Sequence, residues 1–235
     1  MDLRGYGASD KPPRGYDTIT SAADVAGVVR SLGATDAVVA GQGWGGWIAW
    51  SMPALQPRVT RGVAVLAAGH PLRLRATGLA PSGLASLGTL AGFQVPFRPE
   101  RSLQADGTVE RMLRDWSGPG GYPGTEESER YTAAMRIPFV AHSALEYYRW
   151  AVRSVPRPDG RRFAALVRRQ LPVPVLQVHG DRDPVLPARR VRGSSAFAGA
   201  DYRWEQLPGV GHFPAEEAPE RVSALLTDWL AGLPR

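Results

Sequence analysis

The sequence predicts an α/β fold in which a parallel sheet is flanked by helices. Short apolar runs rich in β-branched residues at 37–40, 61–66 and 171–178 are separated by stretches of helical period. Strands separated by helices form β-α-β units, and the strands of such units run parallel. The run at 37–40 leads directly into a glycine-spaced turn, which is typical of a strand that turns sharply into a helix.

The segment between residues 71 and 170 differs from the rest of the chain because it has no strand signals. Helical apolar patches alternate there with joints rich in glycine and proline. The patches comprise Val109, Met112, Leu113 and Trp116, and then Leu145, Tyr148 and Val152. We therefore expect a core built from residues 1–70 and 171–235, with an inserted helical cap over residues 71–170.

Composition argues against several classes of protein. The 235 residues carry a net charge of +6, from arginines spread along the chain, which is typical of a solvated surface rather than a nucleic-acid interface. No apolar run approaches the ~20 residues of a membrane span, and the N-terminus lacks the apolar stretch of a signal peptide. We expect a cytoplasmic protein that binds neither nucleic acid nor a membrane. The oligomeric state stays open.

The sequence contains no pattern that indicates a metal or a cofactor. Cysteine is absent, and His70, His142 and His179 lack ligand-like spacing. The glycine-rich turn does not have the G-x-G-x-x-G register of a dinucleotide site.

The flanking elements follow from local patterns. Residues 2–17 form a loop, and a helix from about Ser21 to Leu32 precedes the first strand, with Gly33 as its C-terminal cap. Beyond residue 183 we expect a basic helix near 187–197, a strand near 202–207 and a C-terminal helix. The predicted apolar stripes are Val25, Val28, Val29 and Leu32 in the first helix, and Val222, Leu225, Leu226, Trp229 and Leu233 in the last.

The turn at 41–46, Gly-Gln-Gly-Trp-Gly-Gly, has the G-x-Nu-x-G spacing of a nucleophile elbow. Gly41 and Gly45 fit this frame because the backbone approaches closely at those positions. The position of the nucleophile is Gly43, which has no side chain. The helix that follows should reach about Leu55, although Pro53 should kink or shorten it.

Three further side chains are candidates for chemistry. Asp183 and His212 each follow a predicted strand, in the order nucleophile, acid, histidine that α/β hydrolases use. Taken alone, Asp183 is more simply an Asx-turn before a proline, and His212 an ordinary loop histidine. The two together after an elbow favour an acid–base pair. Tyr148 either donates a hydrogen bond into a cleft or packs within its helix.

These stretches resemble the epoxide-hydrolase-like branch of the α/β-hydrolase superfamily across essentially the whole chain. The segment 2–10 resembles the branch's D-x-R-G-Y-G-x-S-D motif, and 41–46 its G-x-D-W-G-G elbow. The segments 180–184, 211–213 and 147–149 resemble its acid loop, histidine loop and tyrosine-bearing cap segment. The resemblance implies hydrolytic opening of a small apolar epoxide. In this scheme an elbow aspartate attacks, Tyr148 protonates the oxygen, the amide of Trp44 contributes to the oxyanion site, and the His212–Asp183 pair activates water.

The chain departs from the family pattern in three places. Position 43 is glycine, so we expect impaired catalysis. The second cap tyrosine has no clear equivalent, and Phe93-Gln94 stands about where it would be. The family's upstream strands and His-Gly-x-Pro loop are missing before Met1, so we expect an N-terminally truncated member in which Val38 and Val39 lie on an exposed sheet edge.

Alternative functions are a catalytically inactive remnant that binds a small hydrophobic ligand, or a related haloalkane dehalogenase or esterase-like hydrolase. Direct activation of water by His212 and Asp183 in the space at Gly43 is a further possibility.

Overall fold

A computed structural model describes residues 1–78, 84–199 and 201–234, and in this part of the chain four strands form one parallel sheet. The predicted α/β class is thereby confirmed. The carboxyl ends of all four strands lie along the same edge of the sheet. In both chain order and spatial order the strands are β1 (Ala37–Gln42), β2 (Thr60–Leu66), β3 (Val175–Gly180) and β4 (Tyr202–Leu207).

Strand β1 lies at one end of this strand order, and Val38 and Val39 are only partly buried, as expected for an edge strand. The expected strand at 171–178 is shorter at its start, because β3 begins at Val175. Pro172 and Pro174 have no N–H to donate to a ladder, so Leu171 contributes only an isolated bridge to Ala198.

Helices pack on both faces of the sheet. On one face α1 (Thr18–Ser31) packs against α2 (Trp44–Leu55), and on the other α12 (Pro219–Ala231) buries Val222 and Trp229. The helix α2 reaches Leu55, so Pro53 does not shorten it; the helix is buried along most of its length, and this packing offsets the lost backbone hydrogen bond.

The first helix differs from its prediction in start and in buried face. It begins at Thr18 because the side chain of Asp17 caps it, accepting from the Thr20 N–H at 2.8 Å. Its buried face includes Ala22, Ala26 and Val29, whose small alanines allow close approach to α2. The predicted stripe was wrong at Val28 and Leu32, which are exposed.

Between β2 and β3 the described residues form helices without strands. Helix α8 (Val140–Arg153) buries Leu145 and Tyr147, whereas Val152 is exposed, so the stripe predicted there was wrong at that residue. Residues 79–83 of the expected cap lie outside the described part. The helices are α3 (Pro71–Gly78), α4 (Leu84–Phe93), α5 (Arg98–Gln104), α6 (Thr108–Trp116), α7 (Thr125–Arg136), α8 (Val140–Arg153) and α9 (Pro158–Leu166).

After β3 the predicted basic helix near 187–197 is divided. A single turn, α10 (Ala188–Val191), passes into a 3-10 helix at Arg192–Phe197. After β4 the short helix α11 (Pro214–Glu217) precedes α12. No helix in the described ranges has the length and apolarity to cross a membrane.

Candidate active site

The elbow joins β1 to α2 at Gly43, whose backbone has φ 55° and ψ −115°. A positive φ at this point is strained for a residue with a side chain and is typical of a nucleophile elbow. The turn is tight, because a Cβ on Gly41 would lie 2.3 Å from the Gly45 backbone. A Cβ on Gly43 would meet no atom within 4 Å. The chain therefore keeps the tight backbone turn of a nucleophile elbow, with open space where the side chain of a nucleophile would project.

Asp183 follows β3 by three residues and has a fully buried side chain. Its Oδ1 accepts the N–H groups of Val185 and Leu186, each at 2.8 Å, which is the Asx-type turn considered from the sequence. Its Oδ2 lies 2.8 Å from Nδ1 of His212. The turn and the histidine contact therefore occur together, one on each carboxylate oxygen.

His212 follows β4 on a loop that holds both its backbone and its ring. Its backbone N–H donates to the Trp116 carbonyl at 2.8 Å, and the Trp116 ring meets the imidazole edge-on at 5.7 Å. A carboxylate accepts only, so the contact with Asp183 assigns the proton to Nδ1 and leaves Nε2 as the basic nitrogen. The side chain is 12% exposed.

His179, in β3, lies beside Asp183, although this histidine was considered from the sequence only as a possible metal ligand. Its Nε2 lies 2.6 Å from the Leu186 carbonyl and 3.4 Å from Oδ2 of Asp183, so Nε2 carries the proton. Burial lowers the pKa of His179, and the Asp183 charge opposes this. A neutral His179 beneath Asp183 supports the acid loop. Its i, i+4 spacing from Asp183 was the available sequence signal.

A second unpredicted contact joins the elbow to the short helix α11, which follows the histidine loop. Gln42 donates from Nε2 to Oε2 of Glu216 at 2.8 Å and accepts the Ala215 N–H at 3.1 Å. Tyr131 of α7 donates to the other Glu216 oxygen at 3.2 Å. No sequence signal links Gln42 to Glu216, which lie 174 residues apart.

Aromatic side chains from α8 lie beside the elbow. The Trp44 ring centre is 5.1 Å from that of Tyr148 and 5.6 Å from that of Tyr147. Tyr147 donates to the Arg4 carbonyl at 2.8 Å. Burial raises the pKa of Tyr148, and a hydrogen bond with the Trp44 side chain opposes the rise. Phe93 packs edge-on against Tyr148 at 5.0 Å and supplies no hydroxyl.

Comparison with known proteins assigns this arrangement to a family. Residues 1–225 match the Alpha/beta hydrolase family. The chain belongs to this family.

Among relatives, the chain is 28% identical over 262 residues to Epoxide hydrolase A of Mycobacterium tuberculosis, covering 99% of this chain and 81% of the relative. It is 27% identical over 241 residues to Epoxide hydrolase 3 of Xenopus tropicalis; the match covers 98% of this chain but only 63% of that relative. The solved structure of Epoxide Hydrolase A from Mycobacterium thermoresistibile superposes with a TM-score of 0.81 at 27% identity, covering 99% of this chain and 82% of that one. The epoxide-hydrolase-like resemblance is confirmed.

The candidate site lies along the carboxyl edge of the sheet, where parallel α/β sheets hold ligands. Gly43 is flanked by Gln42, which contacts α11 just after His212, and by Trp44, which contacts α8. The Trp44 amide is at the start of α2, where backbone N–H groups have no partner within the helix. A separate surface cavity of about 820 Å³ is lined by residues of α6 and α7 and includes none of these side chains.

Proposed function

We propose that this hydrolase binds a small apolar epoxide between the elbow and the helices of the 71–170 segment, which serves as its cap. Asp183 and His212 activate water, and Tyr148 protonates the epoxide oxygen. The covalent route of the family is closed because Gly43 has no nucleophile, so turnover is slow. The observation that carries this proposal is the 2.8 Å contact from Nδ1 of His212 to Asp183. This contact leaves Nε2 of His212 free to act as a general base, while position 43 at the tip of the elbow has no side chain and open space around it.

The chemistry balances without a group at position 43. Nε2 of His212 takes a proton from water while the water oxygen bonds to an epoxide carbon and the carbon–oxygen bond breaks. Tyr148 gives its proton to the oxygen that leaves that carbon, and the phenolate regains a proton from the imidazolium through solvent. A raised pKa keeps the phenol protonated until the opening ring makes a stronger base. Asp183 stabilises the imidazolium.

An oxygen leaving group fits this site better than a halide. The indole N–H of Trp44 can only donate, and its hydrogen bond with Tyr148 uses that donor. The donors left for substrate are the Trp44 amide and the Tyr148 hydroxyl, and of the two only the hydroxyl can transfer a proton to an alkoxide. A halide leaves as a weak base and needs no proton, so the dehalogenase alternative makes no use of the acidic proton of Tyr148.

A ligand-binding protein without turnover is the second candidate, because Gly43 removes the residue that would attack. Loss of a covalent nucleophile costs several orders of magnitude in rate. The two candidates share the same binding region and differ only in whether His212 performs chemistry there.

The deciding experiment compares the wild type with Gly43→Asp and Gly43→Asn on a panel of small aryl and alkyl epoxides. The two variants have similar shape and backbone strain, but only the first adds a carboxylate. We expect Gly43→Asp to gain at least about 10²-fold in rate and to form an alkyl ester at residue 43, detected by mass spectrometry. Wild-type turnover, although slow, should disappear in His212→Ala. If no adduct forms, no rate is gained and wild-type turnover is absent, the ligand-binding function replaces the hydrolytic one.

A further inference from the structure

The carboxylate of Glu217 accepts three backbone hydrogen bonds from two different parts of the chain. Its Oε2 accepts the N–H of Gly118 at 2.8 Å and the N–H of Gly211 at 2.9 Å. Its Oε1 accepts the N–H of Phe213 at 2.9 Å. Two of these donors flank His212 in sequence, and the third lies 99 residues from Glu217, just after α6.

The residues Trp116, Ser117 and Gly118, which we call the strap, lie against the histidine loop, residues 209–213, without intervening side chains. A Cβ on Gly118 would lie 2.3 Å from the Gly209 carbonyl oxygen. A Cβ on Gly211 would lie 2.3 Å from the Gly118 nitrogen. Such backbone-to-backbone contact is possible only for glycine at both positions.

The strap also contacts His212 itself. The His212 N–H donates to the Trp116 carbonyl, and the Trp116 ring packs edge-on against the imidazole. Glu217 thus joins the strap to the residues on both sides of His212, while Trp116 holds His212 between them.

We propose that Glu217 is a positioning residue for His212, and that through it the strap couples the placement of the 71–170 helices to the orientation of the imidazole on Asp183. Hydrogen bonds to an ionised carboxylate are stronger than neutral ones, and loss of the acceptor would leave three amides unpaired. The functional meaning of this coupling rests on the proposed role of His212 as base, but the structural claim can be tested without any substrate.

The test follows the Nδ1–H proton of His212 by NMR in the unliganded full chain, with exchange of the β2 and β3 backbone amides as the measure of global stability. The variants are Glu217→Ala, Glu217→Gln, which keeps one acceptor oxygen, and Gly118→Ala, which displaces the strap while Glu217 stays. Glu220→Gln, an exposed glutamate in the first turn of α12, is the control.

We expect Glu217→Ala and Gly118→Ala to accelerate exchange of the His212 Nδ1–H by about 10-fold or more, with a smaller effect in Glu217→Gln, while exchange of the sheet amides changes far less. The control should match the wild type. The proposal is overturned if the His212 proton is unaffected, or if it and the sheet amides accelerate together, since Glu217 would then stabilise the whole fold without positioning His212. Absence of epoxide turnover would leave this readout unchanged.

Discussion

Asp183 binds the ring of His212 through one carboxylate oxygen and the backbone of its own turn through the other. The turn fixes the carboxylate, and the carboxylate fixes the tautomer of the histidine. The position of the His212 ring is therefore set by the loop that follows β4, and its tautomer by the loop that follows β3.

The first prediction concerns this pair. In a Gly43→Asp background, Asp183→Asn should still allow the alkyl ester to form but slow its hydrolysis by about 10²–10⁴-fold, because His212 loses the partner that orients it as a base. The ester should accumulate, as measured by mass spectrometry after mixing with epoxide. Asp181→Asn is the control, since Asp181 accepts from Gly209 and does not contact His212. Equal ester lifetimes in the two double variants would contradict the role of Asp183.

The two adjacent tyrosines of α8 should behave differently. Tyr148→Phe in the Gly43→Asp background should slow ester formation by about 10²-fold, because a proton donor to the epoxide oxygen is lost. Tyr147→Phe should leave the rate within a few-fold and cost about 1 kcal/mol of stability, because its hydroxyl is used by the Arg4 carbonyl. Rates and urea unfolding measured on both variants check this, and a larger rate loss for Tyr147→Phe would reverse the assignment.

Elbow strain predicts opposite effects at two nearby glycines. Gly43→Ala should destabilise the fold by about 1–3 kcal/mol, since a side chain at φ 55° is strained although space is available. Gly45→Ala, inside α2 and equally free of steric contact, should stabilise it by about 0.5–1 kcal/mol. Chemical denaturation of both variants measures the difference. An unchanged stability in Gly43→Ala would mean that the elbow backbone relaxes.

Acid stability should depend on His70, which is completely buried and stacks on Phe197 at 4.0 Å. Burial lowers the pKa of His70 to about 3, and the backbone of Val167 opposes this only in part. Below about pH 6.5 the unfolded chain gains a proton that the folded protein does not. Each pH unit should therefore remove about 1.4 kcal/mol of stability until the pH nears 3.

The measurement for His70 is urea unfolding at pH 7 and pH 5. His70→Gln should lose less stability over this interval than the wild type, by about 2 kcal/mol. His142→Gln, which changes an exposed histidine, is the control. If His70→Gln and the wild type decline in parallel, His70 does not govern the acid limit.

The sequence was sufficient to predict the sheet and the loops that carry Asp183 and His212. Parallel strands separated by helices leave little choice of topology, and loops after their carboxyl ends necessarily meet along one edge. The elbow was recognisable despite Gly43, because its glycine spacing reflects backbone crowding at Gly41 and not the identity of the tip.

The contacts of Glu217 and of Gln42 could not be predicted, because they depend on how distant loops pack and no periodic pattern in the sequence indicates them. The acceptor role of Glu217 requires three amides to converge, and Gln42 meets Glu216 across 174 residues of sequence. The buried face of α1 was misassigned for a related reason: hydrophobicity favoured Val28 and Leu32, whereas close packing on α2 selects the smaller Ala22 and Ala26.

The contact between Gly118 and Gly211 restricts the exchange of residues 71–170 between related proteins. A chimera that replaces residues 71–170 with the corresponding segment of another hydrolase will keep the native histidine loop only if the incoming chain has glycine opposite Gly211. A donor with any side chain there displaces the loop by the width of a methyl group or more. The helices of residues 71–170 and the placement of His212 are therefore not separable modules in this protein, and successful exchanges will require matched changes on both sides of this contact.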